Sequence, residues 1–274
     1  MVFKVIFMDQ ELVINIEPAQ EVDANILARI CKDAFHTDAE LGVSSTLPEP
    51  RLPGGPPGYD SPDFQKFIMK IMNYYKILIK DKIVGGLFFS SANQDHYVLE
   101  RIFISPDYHR KGIATRAMEL ALNKHPDGKF WTLGTPNWNL RTQNFYERLG
   151  YIQIGWEEAD PPIMRGIWYQ KTVRPYSLPN IKDLEEGMEF ITIEGTVASI
   201  GTPRKINQEG RSVTVADAII EDNTGKIYII IKEFQKQYMS PGTKVRVEYA
   251  LVKSYLEKLM LDWKYGRIII LIEI

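Results

Sequence analysis

The stretch FISPDYHRKGIATRAMELAL, residues 103–122, decides the fold of the N-terminal half of this chain. An apolar strand ends before Pro106, two basic residues follow, and Gly112 opens an amphipathic helical pattern. The first backbone N–H groups of a helix have no intrahelical partner and carry a partial positive charge. The spacing therefore predicts an anion site at this helix start, with Arg110 and Lys111 adding charge.

This anion site has an alternative interpretation. Lys111 precedes Gly112, so the stretch is not a Walker loop, and one glycine does not make a dinucleotide fingerprint. An ordinary strand-to-helix turn with two solvated basic side chains fits the same residues. A second motif in the sequence helps to distinguish an anion site from an ordinary strand-to-helix turn.

The second motif is PNWNLRTQNFYERLGY, residues 136–151. It follows a strand-like run, and Gly150 is placed to end its helix. Asn139 and Tyr146 lie two helical turns apart, so both point from one face of this helix. Each also has a purely structural interpretation, Asn139 as the helix N-cap and Tyr146 as a half-buried aromatic residue.

In this order, the two motifs resemble the GNAT superfamily of N-acetyltransferases. The resemblance covers roughly residues 11–172 and rests on IFISP, HRKGIA and the later N…FYERLGY. It implies an α+β fold, with a mixed central sheet flanked by helices, and acetyl-CoA as the co-substrate. The family's phosphate-binding motif usually begins with Gln or Arg, whereas this chain has His109. That position supplies mainly a backbone N–H group, so we expect binding to survive.

The resemblance also implies how acetyl-CoA is held. Its pyrophosphate would lie on the amides of the turn, and its pantetheine arm would pair with the strand as an added strand does. One backbone N–H group of that strand would polarise the thioester carbonyl, Asn139 would bond the pantetheine arm, and Tyr146 would protonate the departing thiolate. The implied cofactor-binding residues are Ile102, Phe103, Ile104, His109, Arg110, Lys111, Gly112, Ile113, Ala114, Thr115, Asn139 and Tyr146.

An acceptor amine is mostly protonated at neutral pH, so a group must accept its proton before it attacks. Glu100 is the candidate base because strand alternation places it with Ile102 and Ile104; a solvent-facing or ion-paired glutamate is the alternative. Some amine acetyltransferases of the family carry a glutamate five residues before the asparagine, where this chain has Gly134. Water or a substrate-borne group could replace that base, and N-terminal protein acetylation by that mechanism is not favoured.

The region before these motifs alternates strand and helix. The patterns predict a strand over residues 11–16 and a helix over 21–35 with Cys31 on its apolar side, where a buried, inert thiol is favoured. Residues 47–62 are rich in Pro and Gly and must form a loop, which is either a lid over the acceptor site or a surface insertion.

A second helix follows this loop. Ser61 is placed as its N-cap and Pro62 occupies the first helical position. Helical spacing predicts that its apolar face consists of Phe64, Phe67, Ile68 and Ile71. Further along, a hairpin turn is expected near Asp81 and Lys82, with strands over residues 97–104, 129–135, 151–155 and 165–173.

The C-terminal part differs in character. Residues 174–180, RPYSLPN, read as a linker, and the chain beyond is dominated by β-branched residues with regular turn signals. Five or so strands with one short helical piece at 233–239 predict a small closed barrel. We therefore predict a GNAT domain over residues 1–173, a linker over 174–180 and a barrel domain over 181–274.

The barrel domain resembles the OB-fold of archaeal single-stranded-DNA-binding and replication-protein-A-like proteins. The resemblance rests on IEGTVASIGTPRKI, VADAIIEDNTGKI and GTKVRVEYALVKSYLEKLML. Such domains stack bases on aromatic side chains in a basic groove. The implied nucleic-acid contacts are Arg204, Lys205, Tyr228, Tyr255 and Trp263. From Ser177 onward, however, 13 basic and 14 acidic residues give a net charge of −1, so docking to a protein is slightly favoured.

Composition limits the other functional classes. The net charge of −2 over 274 residues gives no sign of a nucleic-acid or membrane partner for the chain as a whole. A single cysteine, the absence of a signal-peptide pattern and the absence of a long apolar run predict a cytoplasmic protein. His36, His96 and His125 have no metal-ligand spacing, so no metal site is expected.

These inferences converge on an acetyl-CoA-dependent N-acetyltransferase that transfers acetyl directly to a primary amine. The OB domain would recruit a substrate or nucleic acid. The alternative is a non-catalytic module that senses acetyl-CoA and binds nucleic acid or docks to a protein. The expected acceptor is an amine of a small molecule or of a protein.

Overall fold

The computed structural model describes residues 13–42, 55–93, 95–158, 165–208, 210–263 and 266–272. The helices are α1 Ala24–Gly42, α2 Pro62–Ile71, α3 Ile113–Lys124, α4 Leu140–Arg148 and α5 Glu233–Lys236. The strands are β1 Ile14–Pro18, β2 Asn73–Ile79, β3 Lys82–Asn93, β4 His96–Ile104, β5 Phe130–Pro136, β6 Ile152–Glu158, β7 Arg165–Thr172, β8 Ile191–Ile200, β9 Arg204–Gln208, β10 Arg211–Glu221, β11 Lys226–Lys232, β12 Lys244–Tyr255, β13 Lys258–Asp262 and β14 Arg267–Leu271.

The chain divides into two compact units. The first consists of Met1–Ser90 and Leu99–Pro126, and the second of Ser91–Val98 and Asp127–Ile274. Strands β3 and β4 therefore contribute to both units. The predicted domain boundary at residues 174–180 stays a prediction, and each unit is described below by itself.

In the first unit, β1, β2 and β3 pair antiparallel, and the tight β2–β3 turn places Lys80 at a φ of 54°. Helices α1 and α2 pack against each other over an apolar cluster that includes Leu27, Cys31 and Ile68. The predicted burial of Cys31 is confirmed, since none of its side chain is exposed. Burial raises the pKa of its thiol to about 12, despite the charge of Arg101, so the thiol stays protonated.

Helix α2 begins as predicted but buries a different face. The Ser61 hydroxyl accepts a hydrogen bond from the Phe64 amide, as an N-cap does. The predicted apolar face is wrong at Phe67 and Ile71, which are 55% and 56% exposed. Gln65 is fully buried instead, because its side chain accepts a hydrogen bond from the Tyr74 hydroxyl at 2.6 Å. A hydrogen-bonded polar group can thus replace an apolar one in a core.

In the second unit, β5 pairs antiparallel with β7, β7 with β6, and β6 with β14. Helix α4 ends at Arg148, and Gly150 follows with a φ of 82°, so the predicted glycine after the helix is confirmed.

Five further strands of this unit pair in a closed sequence. Strand β8 pairs with β10, β10 with β11, β11 with β13, β13 with β12, and β12 again with β8. Only the β11–β13 pairing among these is parallel. Their inward-facing residues form one apolar cluster, which includes Ile193, Ile220 and Val247. The described residues also include β9, a hairpin partner of β10, and β14, so the predicted count of about five strands was too low.

Within the described residues, no helix is long and apolar enough to cross a membrane. The same residues contain no group of three or more His, Cys, Asp and Glu side chains that could hold a metal ion.

Candidate functional site

The predicted helix start forms an open, left-handed turn. Gly112 is the N-cap residue of α3 with a φ of 73°, and no side chain caps this end. Arg110, two residues earlier, also has a positive φ, 59°. A Cβ atom on Gly112 would have no described atom within 4 Å, so the space above this turn is open. Left-handed turns at a helix start aim successive N–H groups outward and favour bound anions.

The side chains of the turn hold it together. The Nε2 of His109 donates a hydrogen bond to the Ile104 carbonyl at 2.8 Å, which ties the turn to the end of β4. The ammonium of Lys111 donates to the Asp107 carbonyl at 2.9 Å and lies 5.1 Å from the centre of the Tyr108 ring. Lys111 therefore stabilises the turn as well as adding positive charge to it.

Strand β4 carries the predicted pantetheine segment, Ile102 to Ile104. Phe103 and Ile104 are buried and Ile102 is half-buried. Gly85 on β3 allows the backbone of this segment to pack closely, because a Cβ atom there would lie only 2.3 Å from the Phe103 carbonyl oxygen.

Glu100, the predicted base, is exposed on β4 and accepts a hydrogen bond from the Ser90 hydroxyl at 2.8 Å. This contact holds one carboxylate oxygen in place. Solvent exposure leaves the carboxylate accessible to a substrate amine.

The structural interpretation of Asn139 as a helix N-cap is confirmed, and its role toward pantetheine stays a prediction. Asn139 is buried, and its Oδ1 accepts a hydrogen bond from the Thr142 amide at 3.1 Å, so it is the N-cap of α4. Among the described residues, none accepts a hydrogen bond from its amide nitrogen, which leaves that donor for a ligand.

Tyr146 is buried on α4, and its ring centre lies 5.1 Å from that of Phe145 and 5.9 Å from that of Tyr151. Burial raises the pKa of the Tyr146 hydroxyl, so it stays protonated at neutral pH, as a general acid must. Tyr151, which the sequence analysis did not assign, buries a hydroxyl that bonds to none of the described residues.

Gly134 on β5 stands where some relatives of the resembled family carry a glutamate. A Cβ atom there would lie 2.9 Å from the Trp168 ring, so that ring covers the position. The Arg267 guanidinium lies 4.3 Å from the centre of the same ring. A glutamate side chain would displace Trp168, which supports a different base in this chain.

The predicted nucleic-acid contacts fall into two groups. Arg204 pairs with Asp217 on β10 at 2.8 Å, and this hydrogen bond raises the pKa of the guanidinium. Lys205 is exposed on β9, and Tyr255 is 67% exposed. These residues lie at the β9–β10 hairpin and at the end of β12.

Tyr228 lies on β11, and Trp263 directly follows β13, which pairs with β11. The Lys258 ammonium donates to the Tyr228 hydroxyl at 3.2 Å and lies 4.9 Å from its ring centre. Trp263 is half-buried against the apolar cluster, and its indole N–H donates to the Ile230 carbonyl at 2.6 Å. Both rings are half-buried, and a lysine ammonium lies over each, Lys258 over Tyr228 and Lys232 over Trp263.

Comparison with known proteins gives a family match for the region that contains the start of α3. The sequence model of the acetyltransferase (GNAT) family matches residues 48–151. An uncharacterized protein of Bacillus subtilis (strain 168), YrkN, is 36% identical over 73 residues, which are 26% of this chain and 40% of that protein. Replication factor A of Methanothermobacter thermautotrophicus is 29% identical over 86 residues, 31% of this chain and 11% of that protein. The chain thus spans less than half the length of either relative.

Solved acetyltransferase structures are also similar to part of the chain. The PaiA N-acetyltransferase of Thermoplasma acidophilum, in complex with coenzyme A, is 14% identical with a TM-score of 0.46, over 58% of this chain and 99% of that one. The ribosomal-protein-S18-alanine N-acetyltransferase of Escherichia coli is 13% identical with a TM-score of 0.45, over 63% of this chain and 99% of that one.

Proposed function

We propose, from the match of residues 48–151 to the acetyltransferase (GNAT) family, that this chain transfers an acetyl group from acetyl-CoA directly to a primary amine. GNAT domains belong to N-acetyltransferases that use acetyl-CoA. The observation that carries the proposal is the uncapped, left-handed turn at Gly112, which lies inside the matched segment and opens onto free space.

The residues of the turn fit the pyrophosphate of acetyl-CoA. The backbone N–H groups from Arg110 to Thr115 would bind its oxygens, and the Arg110 side chain would add a charge. The His109 N–H group, which the resemblance also assigns to the pyrophosphate, already donates to the Pro106 carbonyl at 3.1 Å. The pantetheine arm would pair with the backbone of Ile102–Ile104, and Asn139 would donate its amide hydrogen to it. Acetyl-CoA supplies the activated acetyl group; the chain binds and orients it.

Transfer requires three proton movements. Glu100, or water held beside it, would take the proton from the ammonium form of the acceptor. The amine nitrogen would then attack the thioester carbon, a C–N bond would form and the C–S bond would break. Tyr146 would give its proton to the departing sulfur, the attacking nitrogen would lose its second proton to the Tyr146 phenolate directly or through water, and the products would be an acetamide and free CoA.

The acid role of Tyr146 is tested by Tyr146→Phe. Loss of the hydroxyl should lower kcat by about a hundredfold, because general acid catalysis contributes on this scale, while acetyl-CoA affinity changes little. Steady-state release of CoA and calorimetric titration with acetyl-CoA measure the two quantities. Tyr169→Phe is the matched control, since it removes another buried hydroxyl, bonded to Glu147 at 3.1 Å, and should keep its kcat. An unchanged rate in Tyr146→Phe would sink the acid role.

We further propose that residues 181–274 are an OB-fold domain that recruits a substrate or nucleic acid. The closed sequence of five paired strands around one apolar cluster supports this fold, because a five-stranded barrel is its basis. The chain also matches Replication factor A over 86 residues. The competing hypothesis is a non-catalytic acetyl-CoA sensor, and it predicts that no amine in a panel releases CoA despite tight acetyl-CoA binding.

Nucleic-acid recruitment is tested by fluorescence anisotropy of labelled single-stranded DNA and RNA with the full chain at two salt concentrations. If bases stack on Tyr228 and Tyr255, each change to Ala should cost about 1–3 kcal/mol of binding free energy, and affinity should fall with salt. Leu256→Ala is the control, since Leu256 is 78% exposed beside Tyr255 and offers no ring. Absence of binding at low salt would make this domain a protein-docking module.

A further inference from the structure

The buried hydroxyl of Tyr151, in the second unit, has no partner in the fold. Tyr151 comes directly after Gly150 and is 2% exposed, and its hydroxyl oxygen forms no hydrogen bond with any described residue. A buried hydroxyl without a partner destabilises a protein, and a phenylalanine ring would fill the same space without that cost. The hydroxyl therefore points to a role other than packing.

Tyr151 packs directly against Tyr146, the proposed acid. Their ring centres are 5.9 Å apart with the ring planes at 65°, and the Tyr151 amide donates a hydrogen bond to the Tyr146 carbonyl at 3.1 Å. Tyr146 is 8% exposed, so it lies closer to solvent than Tyr151 does. A ring contact and a backbone hydrogen bond thus fix the position of Tyr151 relative to the acid.

The charged group beside Tyr151 does not serve its hydroxyl. The Lys171 ammonium lies 5.9 Å from the centre of the Tyr151 ring, but it donates to the Leu149 carbonyl. Burial raises the pKa of the Tyr146 and Tyr151 hydroxyls, and a charge on Tyr146 would raise the pKa of Tyr151 further. The two hydroxyls are therefore within electrostatic reach of each other, and both are protonated at neutral pH.

The proposed transfer creates a charge at this place. When Tyr146 gives its proton to the departing sulfur, its oxygen becomes a phenolate that is buried beside aromatic rings, where an unpaired charge is costly. Tyr151 carries a donor without an acceptor. The structure shows no hydrogen bond between the two hydroxyls, so such a bond would form only as the charge develops. An interaction made only in the transition state raises kcat and leaves ground-state binding unchanged.

We propose that Tyr151 is a positioning residue for the acid: its hydroxyl donates a hydrogen bond, directly or through one water molecule, to the Tyr146 oxygen as that oxygen loses its proton. This inference rests on the proposed function. Tyr151 keeps its own proton throughout, so the proton count of the transfer is unchanged. Tyr146 gives one proton to the sulfur and regains one from the attacking nitrogen, and Tyr151 holds the phenolate in place for that return.

The first test is Tyr151→Phe in the full chain, which removes only an unpaired hydroxyl and should not lower the thermal unfolding midpoint. We expect kcat to fall on the order of 10- to 100-fold, as the loss of a hydrogen bond to a charged group costs, with little change in acetyl-CoA affinity. In the Tyr146→Phe background, the same change should cost nothing further, because Tyr151 acts through the Tyr146 oxygen. Tyr169→Phe is the control, since the Tyr169 hydroxyl is bonded to Glu147, and it should keep kcat.

The second test needs no turnover. Tyr146 is replaced by difluorotyrosine, and fluorine NMR follows its ionisation as the pH is raised. Tyr151→Phe should raise the pKa of this fluorinated residue, because its phenolate loses a donor, whereas Tyr169→Phe should not. If that pKa rises but no amine in a panel releases CoA, the tyrosine pair stands and the transferase proposal fails.

Three results would overturn the role of Tyr151. The first is a pKa of the fluorinated residue that Tyr151→Phe leaves unchanged. The second is an unchanged kcat in Tyr151→Phe. The third is an equal loss of kcat from Tyr151→Phe in the wild type and in the Tyr146→Phe background, because a merely structural role would slow both alike.

Discussion

Gly112→Leu should weaken acetyl-CoA binding by roughly a hundredfold or more, because several charged hydrogen bonds to the pyrophosphate would be lost together. In the structure, a Cβ atom added to Gly112 would point into empty space, and the pyrophosphate would fill that space. A leucine side chain would occupy it, and the φ of 73° would also become strained for a residue with a Cβ atom. Calorimetric titration with acetyl-CoA measures the loss directly.

Gly187→Leu separates the loss of the binding site from backbone strain. Gly187 has a φ of 91° and, like Gly112, nothing within 4 Å of an added Cβ atom, but it lies in the second unit before β8. Both substitutions should lower the free energy of unfolding by about 1–2 kcal/mol, the cost of a left-handed L-residue. Only Gly112→Leu should lose acetyl-CoA. Equal acetyl-CoA affinity in both variants would show that the turn at Gly112 does not bind the pyrophosphate.

Local signals explain what could be predicted from the sequence. The turn at Gly112 and the Ser61 cap depend on residues within a few positions of each other, so their letters alone indicate the conformation. The outline of strands and helices around the second motif follows for the same reason. The structure shows Asn139 as a helix cap, and its role toward pantetheine stays a prediction.

Contacts between distant residues explain what could not be predicted. In the first unit, the Arg101 guanidinium lies 5.5 Å from the ring centres of Phe35 and Phe64 and 4.0 Å from the Cys31 sulfur, and no spacing in the sequence predicts contacts between residues this far apart. The burial of Gln65 depends on a hydroxyl nine residues away, on another element. Helical periodicity alone then assigned Phe67 and Ile71 to the wrong side of α2.

No sequence pattern predicted the buried polar cluster of the second unit. On β12, Arg246 is 3% exposed and Glu248 is fully buried, and Glu248 lies 3.7 Å from the Arg246 guanidinium. Arg246 also donates to Gln170 on β7 at 2.6 Å and to Glu194 on β8 at 2.8 Å. The cluster thus joins strands on both sides of the predicted linker within one compact unit.

His96 and two threonines complete this cluster. The His96 ring shares hydrogen bonds with Thr192 at 3.0 Å and with Thr132 at 2.7 Å. Burial, reinforced by the charges of Arg246 and Arg267, lowers the pKa of His96 well below 6.5, so the ring is neutral. Among these groups, the positive charge that faces Glu248 at 3.7 Å is therefore that of Arg246, not that of His96.

Arg246→Met should destabilise the protein by about 3–5 kcal/mol, because removing one partner of a buried ion pair leaves the other charge uncompensated. Arg204→Met is the matched control. It breaks the Arg204–Asp217 pair, whose side chains are 47% and 57% exposed, and such a pair contributes about 0–1 kcal/mol. Urea unfolding followed by circular dichroism measures both changes.

The double variant Arg246→Met with Glu248→Leu identifies the source of the loss. If the cost arises from the stranded carboxylate, removing it should recover most of the stability that Arg246→Met alone loses, since well-packed apolar replacements of buried ion pairs are often neutral. If Arg246→Met instead costs no more than Arg204→Met, the cluster does not hold β7, β8 and β12 together. In that case residues 181–274 would be expected to unfold independently of the strands before the linker.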